Sequence, residues 1–194
     1  MLIKNDFEVS QPVEKVWQFF DNIPAVASCL PGTEITKELG DDKYEGKVVV
    51  RMGPVKLQFD GIATITERDE AAKRIVVQAS GAETKGKGQA EMRVAATLAR
   101  SPAGTKVAVT QDLQLSGAAA QYGRGMIADV SSVLMGEFSA TMQDRITRAE
   151  RGETVDTTSS ASPAGGFRFA RKAVLLALGR VFRRFFLPYQ PNPT

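Results

Sequence analysis

A chain of 194 residues, 43% of them hydrophobic, is long enough for one domain with a real core and something left over. Histidine is absent, which removes the commonest general base, the commonest metal ligand and the usual partner of a serine or cysteine nucleophile; one cysteine and no secretory leader pattern predict a reducing, cytoplasmic setting. The net charge of +3 sums two unlike parts: residues 157–194 hold six bases and no acid, while the other 156 residues hold 19 bases and 22 acids, which argues against nucleic acid as a partner and for a charge-specific appendage.

The opening Leu2, Ile3, Lys4, Asn5, Asp6, Phe7, Glu8 and Val9 alternate as a strand does. Ser10-Gln11-Pro12-Val13-Glu14 then signals a helix start, with Ser10 as cap, Pro12 in the first turn and Glu14 at the positive end of the dipole. That helix places Val13, Val16, Trp17 and Phe20 on one face and stops near Asn22-Ile23-Pro24. A short second helical stretch leads to the turn Cys29-Leu30-Pro31-Gly32, beyond which the apolar period changes from helical to alternating as far as Leu115.

Within that stretch Tyr44, Gly46, Val48, Val50 and Met52 share one strand face, and after Gly53-Pro54 so do Val55, Leu57, Phe59, Gly61, Ala63 and Ile65. Ile75, Val77 and Ala79 follow, then Gly86, Gly88, Ala90, Met92, Val94, Ala96 and Leu98, and last Val107, Val109, Gln111, Leu113 and Leu115. The opposite faces are polar, so the pattern predicts an antiparallel meander with one wet and one dry side. From Ser116-Gly117 the period turns helical again, and Tyr122, Met126, Val130, Val133, Leu134, Phe138, Met142 and Ile146 make one apolar stripe on a helix of some 30 residues, about 45 Å long. Residues 1–150 thus read as an α+β domain, a curved antiparallel sheet wrapped around a long C-terminal helix.

Residues 151–166 are small and polar, a flexible linker. Residues 167–187 form a basic amphipathic helix on a 100° wheel: Phe167, Ala170, Val174, Leu178, Val181, Phe182 and Phe185 fall within about 60° of one direction, while Arg168, Arg171, Lys172, Arg180, Arg183 and Arg184 lie mostly opposite. Its longest uncharged run, residues 173–179, is far short of the ~20 apolar residues that span a bilayer. The expectation is a helix lying on anionic membrane lipids at the inner face of the cell membrane, ahead of docking in a partner's groove or back on the domain's own cavity. Residues 188–194, with three prolines, are a loose end.

The dry face of the sheet carries many small residues, Gly46, Gly61, Ala63, Ala79, Gly86, Gly88, Ala90 and Ala96, which either leave empty volume or let the sheet bend. The side chains facing that space are Trp17, Val48, Val50, Met52, Leu57 and Phe59 on one side, Met92, Val94, Val109, Gln111 and Leu113 on the next, and Tyr122, Met126, Val130, Val133, Leu134 and Phe138 from the helix. Gln111 is the one polar residue assigned to the inner face; it and Tyr122 are placed either to hydrogen-bond a ligand carbonyl or to satisfy a backbone group.

Catalytic signals are weak. Asp60, Glu91 and Asp112 fall on outward strand positions, Asp129 sits off the helix stripe, and Cys29 has no base and reads as a buried small hydrophobe in a loop. Lys85-Gly86-Lys87-Gly88 lacks the Ser or Thr and the strand-to-helix setting of a phosphate loop, and reads as a strand with lysines outward. Neither a metal cluster nor a covalent cofactor is expected.

In this order Pro12-Val13-Glu14-Lys15-Val16-Trp17, Cys29-Leu30-Pro31-Gly32, Met52-Gly53-Pro54 with Phe59-Asp60-Gly61, and Gly104-Thr105 leading to Leu115-Ser116-Gly117 resemble the carbon monoxide dehydrogenase CoxG family of the START-like (SRPBCC), helix-grip superfamily. The resemblance covers roughly residues 1–148 and not the tail; Asn22-Ile23 stands where the family often has Asp-Pro, a departure confined to a loop. It implies an apolar ligand between helix and sheet, and as partner a carbon monoxide dehydrogenase or similar molybdenum hydroxylase. The expectation is a non-enzymatic carrier and membrane anchor for a hydrophobic ligand, a respiratory quinone (menaquinone or ubiquinone) or a lipid. The alternatives are a recruitment adaptor without ligand and a polyketide-cyclase-like enzyme.

Overall fold

The computed structural model describes residues 1–52, 55–86 and 88–153; the linker and the amphipathic tail expected from the sequence lie outside the described residues. The chain order is β1 (Leu2–Val9), α1 (Val13–Asp21), α2 (Ile23–Cys29), β2 (Thr33–Gly40), β3 (Lys43–Met52), β4 (Val55–Asp69), β5 (Arg74–Glu83), β6 (Gln89–Ser101), β7 (Gly104–Leu115), a 3₁₀ turn (Gly117–Gln121) and α3 (Arg124–Glu150). Among the described residues the strands form one antiparallel sheet in the order β1-β7-β6-β5-β4-β3-β2, with the helices on one face.

Helix boundaries follow local chemistry. Pro12, not Ser10, is the N-cap of α1, and its carbonyl accepts from Lys15 and Val16; the Ser10 N–H is instead satisfied by Gln143 of α3 at 2.7 Å. Asn22 ends α1 and caps α2, its side-chain oxygen accepting the Ala25 N–H at 3.1 Å, while Pro24 occupies the first turn, where no donor is needed. β2 is a strand on which the alternation gave no face: it is the sheet edge, mostly exposed and broken by two register shifts.

Gly46, Gly61 and Gly81 pair in one row across β3, β4 and β5. A methyl group on Gly61 would lie 2.2 Å from the Ser80 carbonyl oxygen, and one on Gly46 2.6 Å from that of Glu34. Neighbouring backbone fills the space a side chain would need. These glycines let neighbouring strands approach more closely than side chains would allow, and of the two readings of the small residues, bending is the one this row supports. Lys85 and Gly86 are not in a strand: the Gly86 N–H returns to the Glu83 carbonyl at 2.8 Å and Gly86 takes a φ of 71°, a turn after β5. Glycines and lysines in alternation mimic a strand pattern but lack the apolar side chains that would hold one down.

α3 is 27 residues, about 40 Å, and buries Ile127, Ser131, Phe138, Met142, Arg145 and Ile146. The apolar stripe expected on it is wrong in its first half. Met126 and Val133 are 47% and 60% exposed, about 130° and 150° around the helix from the buried line. Hydrophobicity misplaced the face because the residues that do face inward there include a serine, Ser131, in place of a large apolar group.

Candidate functional site

The interior is divided along its length. At one end Val9, Val16, Trp17, Phe20, Leu98, Val107, Phe138 and Met142, with further buried neighbours, form a closed core; Phe138 meets Phe7 and Phe20 edge to face, with centroids 5.9 and 6.4 Å apart. At the other end the apolar cluster is loose. Ile3, Leu57, Ala119 and Ile127 are buried, while Val50, Phe59, Leu113, Leu115, Tyr122 and Val130 are only partly so. This open end is bounded by the start of β1, the end of β7, the 3₁₀ turn and the start of α3, and holds a concavity of about 280 Å³ lined by Met1, Leu113, Leu115, Tyr122 and Ile127 among others.

A polar layer separates the two ends. Along β1, Asn5 lies between Ile3 of the open end and Phe7 of the closed one; along β7, Gln111 lies between Leu113 and Val109; along α3, Ser131 lies between Ile127 and Phe138. The Asn5 amide donates to Ser131 Oγ at 3.2 Å, Ser131 Oγ donates to Gln111 Oε1 at 3.3 Å, and Ser132 Oγ donates to Asn5 Oδ1 at 3.1 Å. Gln111 is 7% exposed, and its Nε2 is buried without a partner among the described residues. An unsatisfied buried donor costs roughly 1–3 kcal/mol, and the only other such side-chain atom among the described residues is Ser101 Oγ, at the far end of β6. It sits two residues, about 7 Å along β7, beneath Leu113 in the floor of the concavity.

Of the residues assigned to a cavity from sequence, Val50, Leu57, Phe59, Leu113, Tyr122 and Val130 meet at the open end, with Gln111 one layer beneath Leu113 and outside the lining. Trp17, Val94, Val109 and Phe138 belong to the closed end, and Met92 and Leu134 are half-buried outside both clusters. Val48 shares the inner face with its cross-strand partner Phe59 but is 38% exposed, and the side chain of Met52 lies outside the described residues. Met126 and Val133 leave the cavity set, since they face away from the buried side of α3.

Gln111 is not the one polar group inside. Sequence reasoning passed over the buried Ser28, Glu83, Thr105, Ser131 and Arg145 and the half-buried Asn5. Glu83 is buried at the open end on the same strand face as Ile75, Val77 and Ala79, opposite Phe59. Arg145 is buried at the closed end and donates to Ser28 Oγ; its spacing of three from Met142 and seven from Phe138 is the signal that could have found it. Cys29 is the last residue of α2 rather than a loop residue; it is wholly buried and its thiol donates to the Ala25 carbonyl at 3.3 Å. Burial pushes that thiol up to about 11 against an opposing pull from Arg145, the signature of an unreactive cysteine.

A larger concavity of about 490 Å³ lies on the other face of the sheet and is lined by Thr64, Gln78, Ser80, Glu91, Arg93, Asp112 and their neighbours. Its lining side chains are mostly polar or charged, which suits it poorly to an apolar ligand; the open end has the appropriate chemistry despite its smaller volume. Asp60, Glu91, Asp112 and Asp129 are all exposed, and no group of metal-ligating side chains occurs among the described residues. Among the described residues no helix is long and apolar enough to cross a membrane.

The family model for the CoxG component of carbon monoxide dehydrogenase matches residues 6–147. No curated protein matches the sequence. Among solved structures the chain is similar to a conserved protein from Geobacillus kaustophilus, at 21% identity and a TM-score of 0.68 over 77% of this chain and 97% of that one. It is similar also to the ZhuI aromatase/cyclase from Streptomyces sp. R1128, at 16% identity and a TM-score of 0.56 over 79% and 99%, and to Ara h 8.0201, at 18% identity and a TM-score of 0.52 over 76% and 97%. At these identities the likeness establishes the fold alone, a helix-grip architecture.

Proposed function

The chain belongs to the carbon monoxide dehydrogenase CoxG family, and from that premise we propose that it is a non-enzymatic carrier that holds a respiratory quinone or similar carbonyl-bearing lipid at its open end and links a molybdenum hydroxylase to the membrane. The observation that carries the ligand half is the unpartnered amide of Gln111 beneath a partly exposed apolar cluster. A ligand that parts Leu113 and Ile127 and seats one layer deeper offers a carbonyl oxygen to Nε2 and apolar surface to Phe59, Val50 and Val130. Menaquinone and ubiquinone each have a ring carbonyl for that donor and an isoprenoid chain to run out along the half-exposed inner face of β3 and β4.

Residues 167–187 supply the anchor in this reading. The family name supplies the partner, carbon monoxide dehydrogenase or a relative, whose electrons a bound quinone at the membrane surface would receive. The absence of histidine and the outward placement of Asp60, Glu91 and Asp112 support carriage rather than catalysis.

The test is chemical. The full chain, purified without detergent from cells that make respiratory quinones and extracted into organic solvent, is expected to release about one quinone or lipid per protein by mass spectrometry. An extract without such molecules overturns the carrier half. The modest concavity of about 280 Å³ favours a second reading, a recruitment adaptor without ligand, which an empty extract combined with intact hydroxylase binding would support.

A further inference from the structure

The loops at the two ends of the body differ in charge. At the open end, segments 51–56, 84–88 and 116–126 contain no aspartate or glutamate and present Arg51, Lys56, Lys85 and Arg124 to solvent. At the closed end, segments 40–42, 69–73 and 149–153 carry Asp41, Asp42, Asp69, Glu70, Glu150 and Glu153 against only Lys73 and Arg151. This segregation runs counter to the body as a whole, which has more acids than bases. Of the acids nearest these loops, Glu83 is buried and Asp112 accepts the N-terminal ammonium at 3.4 Å, while Glu91 and Asp60 are exposed on the wet strand faces rather than on the loops.

The three segments lie together. The Thr84 N–H bonds to the Gln58 carbonyl at 2.9 Å, the Ser116 N–H to the Gln89 carbonyl at 2.9 Å, and Leu57 shares its cluster with Ala119 and Ile127. Large apolar side chains on these segments are left exposed: Val55, 39% exposed and beside Lys56, and Met126, 47% exposed and two residues from Arg124. Arg124 also lines the concavity.

We propose that this end of the body is itself a contact surface for an anionic lipid bilayer, separate from the tail, and that it seats the mouth of the apolar site against the membrane. Cations without acids around exposed apolar groups match lipid headgroups above acyl chains, and the closed end repels the same surface. An acidic protein would match the cations but leave Val55 and Met126 without apolar partners unless its own surface were built to receive them. The proposal rests on the carrier reading only in taking the open end as the place where an apolar ligand enters.

Because Cys29 is buried and unreactive, single cysteines placed in the full chain take a polarity-sensitive fluorophore selectively. Val55→Cys reports on the open end, Leu39→Cys on the closed end and Phe182→Cys on the tail; Val55 and Leu39 are exposed, so neither change disturbs the core. On adding vesicles of phosphatidylglycerol and phosphatidylcholine in equal parts, the expected result is an emission gain of about threefold or more at Val55→Cys and Phe182→Cys and none at Leu39→Cys. Adding Lys56→Glu, Lys85→Glu and Arg124→Glu is expected to abolish the gain at position 55 and spare that at 182.

A response at position 182 alone overturns this proposal and leaves the tail anchor standing. A response at position 55 alone supports it and removes the anchor; silence at both overturns both. Equal gains at positions 55 and 39 overturn it, since docking would then have no orientation. A gain at 55 with purified hydroxylase but not with vesicles also overturns it, in favour of a protein-binding face.

Discussion

Replacing Gln111 by leucine is expected to make the protein more stable and worse at holding its ligand. The side chain is buried, its Oε1 takes a long bond from Ser131, and its Nε2 bonds to nothing. Leucine fills a similar volume without the stranded donor, and Ser131 Oγ, already an acceptor for the Asn5 amide, can turn its proton to the carbonyl one helical turn back. The net gain is about 1 kcal/mol, read as a rise in melting temperature of about 2–4 °C. For a quinone bound through one carbonyl, the same change removes a hydrogen bond made in a dry site and is expected to weaken binding about tenfold or more in a titration with a short-chain naphthoquinone. Stability and affinity moving in opposite directions separates a ligand handle from a packing residue, for which both would fall.

The second large effect lies in the tail. Changing Arg168, Arg171, Lys172, Arg180, Arg183 and Arg184 together to glutamine leaves the body untouched and removes six positive charges. At about 1 kcal/mol for each cation near an anionic leaflet the full loss would approach 6 kcal/mol; screening and the remaining apolar face reduce it, and an affinity for anionic vesicles at least ~100-fold lower is expected by cosedimentation. Residual binding would come from the tail's apolar side chains and from the cations of the open end. Unchanged cosedimentation would assign the tail to a partner groove instead.

These expectations draw unequally on sequence and structure. The strands with clean alternation were legible because one face of each is buried: Val107, Val109 and Gln111 all point inward as their spacing required. Helix α1 was legible from Val13, Val16, Trp17 and Phe20, all buried. The first half of α3 was not, because its inward line contains Ser131, which a hydrophobic pattern passes over as it does Arg145 further along, while Met126 and Val133 imitate a core stripe on the solvent side. Lys85 to Gly88 misled for a related reason, as alternation without apolar side chains carries no information about burial.

At the site, Gln111 could be placed inside by parity alone, but that its amide lacks a partner depends on Asn5 and Ser131, which are 106 and 20 residues away in sequence and converge only in the fold. The division of the interior into closed and open ends was likewise not legible, since both ends are built from the same apolar residue types. The acids and bases of the end loops are plain in the sequence, yet their segregation has meaning only once the antiparallel order brings segments 51–56, 84–88 and 116–126 to one end.

The central claim is that Gln111 is the polar handle for a ligand at the open end, and its side-chain amide can be observed directly by nitrogen-15 NMR. Adding a short-chain naphthoquinone to the full chain is expected to shift the two Gln111 amide protons downfield and slow their exchange, together with shifts at Leu113 and Tyr122 and none at Trp17. Binding that leaves the Gln111 amide unmoved, or that perturbs only residues of the polar outer face such as Gln78 and Arg93, would contradict it.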